Sequence, residues 1–287
     1  MPFTYAKIRR PRRAYIHVPE LIPYYSPLRY PGGKSWLAPE LREWLARDSR
    51  AELVELFAGG AYASLLAVLE GYVHRAILVE IDPAICALWR TVFSADARKL
   101  CSRIRGFRFT EESVEELLDK KFRTDVGLAF QTIVKNRARR GGILADGAGI
   151  LRTGERNKGV SSRWYPQTLI DRIKRLNEYA NNFKVIEEDA LEYLTLLHRR
   201  RHPVKLFVDP PYTKLSEPGV KPLYRFNYIN HAKLFGKLHQ TSHDILITYD
   251  DSDFVRKKAT QHEFNIKRIL MRTAHSVKKH ELLLTRR

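Results

Sequence analysis

The sequence predicts an α/β fold with a mostly parallel sheet, an antiparallel hairpin at its C-terminus and a basic insert in its middle. A strand, a glycine turn, a helix and a second strand follow one another within residues 53–81, which is the order of a βαβ unit. Strand patterns then stop and resume only at residue 183. The last two strand patterns lie close together along the chain, as the two arms of a hairpin do.

The N-terminal part of the sheet is predicted from four stretches. Apolar residues recur at helical spacing within residues 36–46. The apolar run Leu53–Phe57 predicts a strand that ends in the turn Ala58-Gly59-Gly60. A densely apolar stretch at residues 65–69 predicts a buried helix, and Ile77–Ile81 predicts the strand that returns beside the first.

Residues 96–179 differ in character and interrupt the sheet pattern. Their helical parts carry many charges, and the long glycine-rich loop Arg137–Trp164 is basic and weakly periodic. The aromatic pair Trp164-Tyr165 indicates that the end of this loop docks on a surface. Later strands are predicted at Phe183–Ile186, Lys205–Val208, Ile245–Tyr249, Phe264–Leu270 and Leu282–Thr285, with a hairpin link around His275–His280.

Charge favours a polyanionic partner. The chain has 51 Lys and Arg against 32 Asp and Glu, a formal net charge of +19. Nucleic acid is the commonest such partner, because each phosphate contact releases condensed counterions. An anionic membrane surface and mere solubility are the alternatives, but neither an amphipathic basic helix nor an apolar run long enough to span a bilayer is evident. We therefore expect a cytoplasmic protein, associated with the nucleoid through DNA.

Cysteine and histidine patterns point away from disulfides and metals. Cys86 and Cys101 form no Cys-x-x-Cys pair, and neither follows a proline as the nucleophile of cytosine-C5 methylation does. Two histidine pairs have the helical spacing that can bind a metal, but the first flanks arginines and neither has a carboxylate placed to complete a site. We expect no metal. The pairs are His198 with His202 and His239 with His243.

The glycine turn and the acid after the second strand suggest adenosine binding. Phe57-Ala58-Gly59-Gly60 lies where a strand meets a helix, and glycines there let backbone N–H groups approach a ligand. Glu80, about 20 residues further on, stands where a carboxylate binds ribose hydroxyls. A tight structural turn is the alternative. The pattern is neither that of a nicotinamide dinucleotide site nor that of a P-loop.

Asp209-Pro210-Pro211-Tyr212 is the more specific motif. It follows a predicted strand, at whose carboxyl end open α/β sheets bind ligands. The Asp209 carboxylate and the Pro210 carbonyl can each accept a hydrogen bond from one exocyclic amino group. Tyr212 offers a flat face on which an extruded base can stack.

Taken in order, Leu28-Arg29-Tyr30-Pro31-Gly32-Gly33-Lys34, Phe57-Ala58-Gly59-Gly60 and Asp209-Pro210-Pro211-Tyr212 resemble the motifs of the Dam-like (D12 class, alpha group) adenine-N6 DNA methyltransferases. The resemblance covers residues 26–287. It implies a Rossmann-like methyltransferase sheet, S-adenosyl-L-methionine as cofactor, and catalysis by the Asp-Pro-Pro-Tyr tetrapeptide. The residues that it places on the cofactor are Tyr30, Gly32, Gly33, Lys34, Phe57, Ala58, Gly59, Gly60, Glu80, Ile81, Asp189 and Asp209.

The resemblance also implies the domain organisation. A basic arm (1–25) would precede a cofactor-binding catalytic domain (26–95 and 180–287), and residues 96–179 would form the inserted target-recognition domain. Asn136-Arg137 resembles the start of the family's recognition segment, whereas residues 139–165 do not resemble the segment that reads GATC. Candidate contacts to phosphate or guanine are Arg137, Arg139, Arg140, Arg152, Lys158 and Arg163. For each of them a solvated basic loop is the alternative.

The sequence thus predicts a site-specific enzyme that methylates a flipped adenine in double-stranded DNA. Methylation at cytosine N4 uses the same amino-group geometry, and a catalytically silent DNA-binding relative would keep the fold. We expect a monomer or weak dimer, with any restriction endonuclease partner encoded separately.

Overall fold

The computed structural model describes residues 24–29, 33–47, 52–145, 147–200, 202, 204–213, 223–272 and 278–286. Within them lies one sheet of seven strands in the order β3-β2-β1-β4-β5-β7-β6. The strands are β1 (Glu52–Leu56), β2 (Arg75–Glu80), β3 (Phe183–Glu187), β4 (Lys205–Val208), β5 (Asp244–Asp250), β6 (Asn265–Arg272) and β7 (Lys278–Arg286). Five strands are parallel, and β7 runs antiparallel to both β5 and β6. The predicted fold class is confirmed.

Helices cover both faces of this sheet. They are α1 (Ala38–Ala46), α2 (Tyr62–Leu69), α3 (Pro83–Val92), α4 (Ala97–Gly106), α5 (Glu111–Asp119), α6 (Asp125–Ala138), α7 (Pro166–Asn177), α8 (Ala190–Leu197), α9 (His231–His239) and α10 (Asp253–Gln261). Helices α1 to α7 pack in one apolar cluster, and α8 to α10 pack in another on the opposite face. Buried strands such as β1, β4 and β5 are therefore apolar on both sides, which explains why their sequences are nearly continuous hydrophobic runs.

The sheet brings the predicted motifs to one edge. The parallel pairing of β1 with β2 and with β4 aligns the carboxyl ends of these strands, because Leu56 lies beside both Val79 and Val208. The glycine turn and Asp209 closely follow the ends of β1 and β4, and Glu80 is the last residue of β2. Strand order changes direction between β1 and β4, and open α/β sheets bind ligands at such a switch point.

The predicted hairpin exists, but its link is shorter than the sequence indicated. Residues 278–280 belong to β7 rather than to the link, since Lys278 and His280 pair with Arg272 and Leu270 across the hairpin. His275, the other end of the predicted link, lies outside the described residues. The ends of the two strands are set by backbone pairing between them. The alternation of side chains in the sequence does not reveal where that pairing stops.

The insert packs onto the sheet domain through its helices. Helix α6 contacts α3, α4 contacts α7, and apolar residues of all four belong to the same cluster. At the end of the basic loop, Trp164 stacks on Phe109 with ring centroids 4.6 Å apart, while Tyr165 remains exposed. The loop thus docks on the insert itself. The division of the chain at residues 96 and 179 stays a prediction.

Candidate active site

A cleft opens at the carboxyl ends of β1, β2 and β4. Its lining includes these residues that the sequence had indicated: Gly33, Lys34, Phe57, Ala58, Gly60, Glu80, Ile81, Asp209 and Pro211. Tyr30 and Gly32 lie outside the described residues. The turn after β1, Glu80 and Asp209 meet at one place because parallel strands align their carboxyl ends, and Gly33 and Lys34 reach it from the segment before α1.

The turn after β1 has a strained backbone. Phe57 and Ala61 adopt positive φ angles of 58° and 54°, which non-glycine residues seldom do, and Gly59 adopts 45°. The indole Nε1 of Trp89 donates to the Gly59 carbonyl at 2.8 Å and holds the turn from behind. Such a conformation brings backbone close to whatever occupies the cleft, and strain of this kind is typical of ligand-binding turns.

Glu80 ties this turn to the end of β2. Its carboxylate accepts hydrogen bonds from the backbone N–H groups of Gly59 (2.8 Å), Ile81 (2.9 Å) and Asp82 (3.0 Å). Burial raises the pKa of Glu80, while these three donors oppose the shift. A carboxylate held in this way is rigid, and each of its oxygens has two lone pairs, so Oε2 can accept a further hydroxyl donor.

Each oxygen of the Asp209 carboxylate is bound by a side chain. The ammonium Nζ of buried Lys34 lies 2.8 Å from Oδ2, and the Thr248 hydroxyl donates to Oδ1 at 2.7 Å. The same Nζ lies 5.3 Å from the centroid of the Tyr212 ring. Tyr212 donates its hydroxyl to Oε2 of Glu281 at 2.7 Å. The tetrapeptide is thus oriented by residues from the N-terminal segment, β5 and β7.

Buried carboxylates make the cleft acidic although the whole chain is basic. Glu55 and Glu80 line the cleft and are each less than 10% exposed, and desolvation raises the pKa of each. The pKa of Glu55 is raised to about 7, and its carboxylate accepts the Ser64 N–H at 2.7 Å. A buried acidic cleft favours a ligand that carries positive charge.

A second cleft adjoins the first and shares Phe57, Ile81 and Pro211 with it. Asp189, the remaining residue predicted to contact a cofactor, lies here. Its Oδ1 accepts hydrogen bonds from Leu191 and Glu192, so the side chain is the N-cap of α8. Capping holds this carboxylate at the cleft wall.

The N-terminal segment that carries Lys34 is held by the insert. Asn136 is fully buried; its side chain accepts the Arg29 N–H at 2.9 Å and donates to the carbonyls of Arg29 (3.0 Å) and Gly142 (2.8 Å). The neighbouring Arg137 donates to the Pro27 carbonyl at 2.5 Å, and burial lowers its pKa to about 10. Asn136 and Arg137 therefore hold the segment Pro27–Arg29 in place, and we call this set of contacts the clamp.

The six arginines and lysines predicted to contact DNA fall into two groups. Arg137 and Arg163 are buried, and Arg139 is half-buried and donates to the Ala145 carbonyl. Arg140 and Lys158 are exposed. Arg152 is also exposed, but it forms salt bridges with Glu111 and Glu115. The structure thus presents Arg140, Arg152 and Lys158 at the surface and uses the others inside the loop; contact with nucleic acid stays a prediction for each.

Sequence reasoning missed three polar residues of the site: Glu55, Thr248 and Glu281. Each is a buried polar residue next to apolar residues of its strand, where burial without a partner is costly. That contrast is a signal in the sequence, although it does not say which partner satisfies the group.

Among the described residues, no group of three or more histidine, cysteine, aspartate or glutamate side chains could hold a metal ion. His198 and His239 instead bond to the backbone carbonyls of Lys237 and His262. In the same part of the chain, no helix is both long and apolar enough to cross a membrane.

No protein-family model and no curated protein matches the sequence. Similar solved structures include a putative RNA methyltransferase from Pyrococcus horikoshii (14% identity, TM-score 0.40, covering 88% of this chain and 81% of that one). Another is a precorrin-6y C5,15-methyltransferase from Geobacter metallireducens (10% identity, TM-score 0.41, covering 88% of each chain). A putative methyltransferase from Streptococcus mutans, in complex with SAH, has 8% identity and a TM-score of 0.35, covering 87% of this chain and 98% of that one. Similarity this low carries no conclusion about function.

Gly142→Ala tests the clamp between the insert and the N-terminal segment. Gly142 has a φ of +75°, and a Cβ there would lie 2.1 Å from the Arg29 carbonyl oxygen. Gly147, with a φ of +80° and open space around it, is the matched control. We expect Gly147→Ala to lower the free energy of unfolding by about 1 kcal/mol, and Gly142→Ala by roughly 2 kcal/mol more, as urea denaturation would measure. Equal losses would contradict the clamp.

Glu55→Gln tests the buried carboxyl. Because the folded-state pKa of about 7 exceeds the usual 4.5, the folded protein keeps a proton that the unfolded chain releases between these pH values. Stability is therefore greatest below pH 4.5 and is lost as pH rises through 7, by an amount on the order of 3 kcal/mol. The glutamine variant should gain stability relative to wild type across this window. A pH-independent difference between their unfolding free energies would rule the shift out.

Proposed function

We propose that this protein is an S-adenosyl-L-methionine-dependent methyltransferase that acts on the exocyclic N6 of an adenine flipped out of double-stranded DNA. The observation that carries the proposal is the position of Asp209-Pro210-Pro211-Tyr212. Asp209 and Pro211 follow β4 and line a cleft that also contains the strained turn and Glu80, and Lys34 orients the Asp209 carboxylate. Asp209, an acceptor for an amino group, therefore lines a cleft with the features of an adenosine pocket.

The residues present fit the cofactor. The Phe57–Gly60 turn brings backbone to the cleft, and Glu80 has acceptor capacity for ribose hydroxyls. The sulfonium and ammonium groups of S-adenosylmethionine are cationic, which suits a cleft whose lining includes the carboxylates of Glu80, Asp82 and Asp209. When bound, this cofactor supplies the electrophilic methyl group.

The chain's own contribution is to bind and orient the amino group. Asp209 and the Pro210 carbonyl accept its two hydrogens, which favours a tetrahedral nitrogen whose lone pair is free to attack. The nitrogen would receive the methyl group of the bound cofactor, which leaves as S-adenosylhomocysteine, and would release one of its protons through its hydrogen bond to Asp209. Lys34 keeps Asp209 oriented, and stacking on Tyr212 offsets part of the few kcal/mol that extrusion of the base costs. Positioning and electrostatics thus account for the proposed catalysis.

Charge supports DNA as the partner. The net charge of the chain is +19, although acidic residues line the cleft, so the excess of basic residues lies outside the cleft. Two of these basic residues, Arg140 and Lys158, are exposed on the basic loop. Phosphate contacts by such residues would hold the duplex while one base enters the cleft.

Transfer of labelled methyl from S-adenosylmethionine to unmethylated genomic DNA, followed by nucleoside analysis and mapping, tests the function. N6-methyladenine at one short motif is expected. N4-methylcytosine would change the base and keep the chemistry, whereas label on RNA or protein would overturn the proposed substrate. Stoichiometric DNA binding without any transfer would indicate a catalytically silent relative.

Asp209→Ala should lower the methyl-transfer rate by roughly a hundredfold to a thousandfold, because one preorganised contact to the reacting group is lost. Cofactor and DNA binding should remain measurable by titration. Asp119→Ala, at the exposed end of α5, is the control that should retain full activity. Full activity of Asp209→Ala would refute the proposed mechanism.

The double variant Arg140→Ala/Lys158→Ala should bind DNA more weakly and with a smaller salt dependence. Loss of two phosphate contacts lowers the slope of log K against log salt by about 2. Lys257→Ala/Lys267→Ala removes two exposed lysines from α10 and β6 and controls for net charge. Equal slopes for both double variants would mean that the basic loop makes no phosphate contacts.

A further inference from the structure

Side chains on one face of the paired strands β5 and β7 form hydrogen bonds with residues 209–213, the segment that begins with the Asp209–Tyr212 tetrapeptide. Asp250 lies directly opposite Glu281 across the antiparallel ladder, and Thr248 precedes Asp250 by two residues. Side chains two apart on a strand point to the same face, so Thr248, Asp250 and Glu281 share one side of the sheet.

Each of these three side chains bonds to a different residue of the segment 209–213. Thr248 donates to the Asp209 carboxylate at 2.7 Å. Asp250 accepts both the backbone N–H of Thr213 at 2.9 Å and its hydroxyl at 2.7 Å. Glu281 accepts the hydroxyl of Tyr212 at 2.7 Å. The segment is therefore held at three points by two strands that both come later in the chain.

Burial of the Glu281 carboxyl group lowers the stability of the fold. It is 4% exposed, it opens the apolar run Leu282–Leu284, and Asp209 and Asp250 lie near enough to repel its charge. Its burial raises its pKa for these reasons, and Lys34 opposes the shift. An apolar residue at such a position would usually serve stability better. The contact that Glu281 makes with Tyr212 is the feature that an apolar residue would not reproduce.

We propose that Glu281 and Thr248 are positioning residues, which set the Tyr212 ring and the Asp209 carboxylate where a flipped base must be received. Glu281 acts through the Tyr212 hydroxyl, and Thr248 acts through Oδ1 of Asp209. The inference rests on the proposed function. The inference adds to the proposed function that the register of β5 with β7 sets the geometry of the substrate pocket.

A double-mutant cycle tests the Glu281–Tyr212 link. The single-turnover rate of methyl transfer to DNA, at saturating cofactor, is measured for Glu281→Leu, Tyr212→Phe and the double variant. Glu281→Leu should lower the rate about tenfold, the value of one hydrogen bond to a charged acceptor. It should lower the rate no further in Tyr212→Phe, where the hydroxyl is absent. Independent losses that multiply in the double variant would overturn the proposal.

Glu281→Gln separates the hydrogen bond from the charge and keeps the assay decisive if the leucine variant folds poorly. The amide oxygen still accepts the Tyr212 hydroxyl, so Glu281→Gln should be faster than Glu281→Leu and should show the same interaction with Tyr212→Phe. A glutamine variant as slow as the leucine variant would overturn the positioning role.

Two substitutions of Thr248 test the role of its hydroxyl group. Thr248→Val is nearly isosteric and removes the donor, whereas Thr248→Ser keeps it, so the valine variant should lose rate and the serine variant should recover most of it. Cofactor affinity, measured by titration, should be unchanged in both. Thr285→Val, on the far end of β7, is the matched control. Equal rates for Thr248→Val and Thr248→Ser would contradict the proposal.

Wild type in the same assay distinguishes the two levels of the argument. No transfer to DNA by wild type would refute the proposed function itself. Transfer by wild type with unaffected Glu281→Leu and Thr248→Val variants would refute the positioning role and leave the function standing.

Discussion

The ion pair between Lys34 and Asp209 is the contact on which the rest of the site depends. It joins the segment before α1 to the end of β4 at 2.8 Å, with the ammonium almost fully buried. A buried lysine without its carboxylate would carry a large desolvation cost, so the pair constrains both segments at once. Asn136 binds the backbone of Arg29, and Thr248 donates to the other oxygen of the carboxylate.

Charge is divided between the interior of the cleft and the remainder of the chain. Carboxylates such as Glu55 and Glu80 line the cleft, whereas the net charge of the protein is strongly positive. The proposed reaction requires both signs. A cationic cofactor is favoured inside the cleft, and a polyanionic substrate is favoured around it. The ionised carboxylates of the cleft supply the first effect, and counterion release supplies the second.

The insert contributes to the site as well as to the proposed binding surface. Its helices share the apolar cluster that packs against the sheet, and Asn136 and Arg137 reach back to hold Arg29 and Pro27. Arginines within a basic loop are therefore not equivalent. Arg137 is a structural donor to a carbonyl, whereas Arg140 is exposed to solvent.

The sequence by itself determined the sheet class, the order of its strands along the chain and the motifs at their ends, because short apolar runs mark buried strands and glycine and proline act locally on the backbone. Asp209 and Glu80 were identifiable because each follows an apolar strand. Only the tertiary structure decided which residues meet them. Glu281 and Thr248 reach the tetrapeptide through the pairing of β5 with β7, and this register depends on contacts between strands distant in sequence. Likewise, packing decided which arginines of the loop are buried, since charge patterning alone cannot distinguish a solvated cation from one that donates to a buried carbonyl.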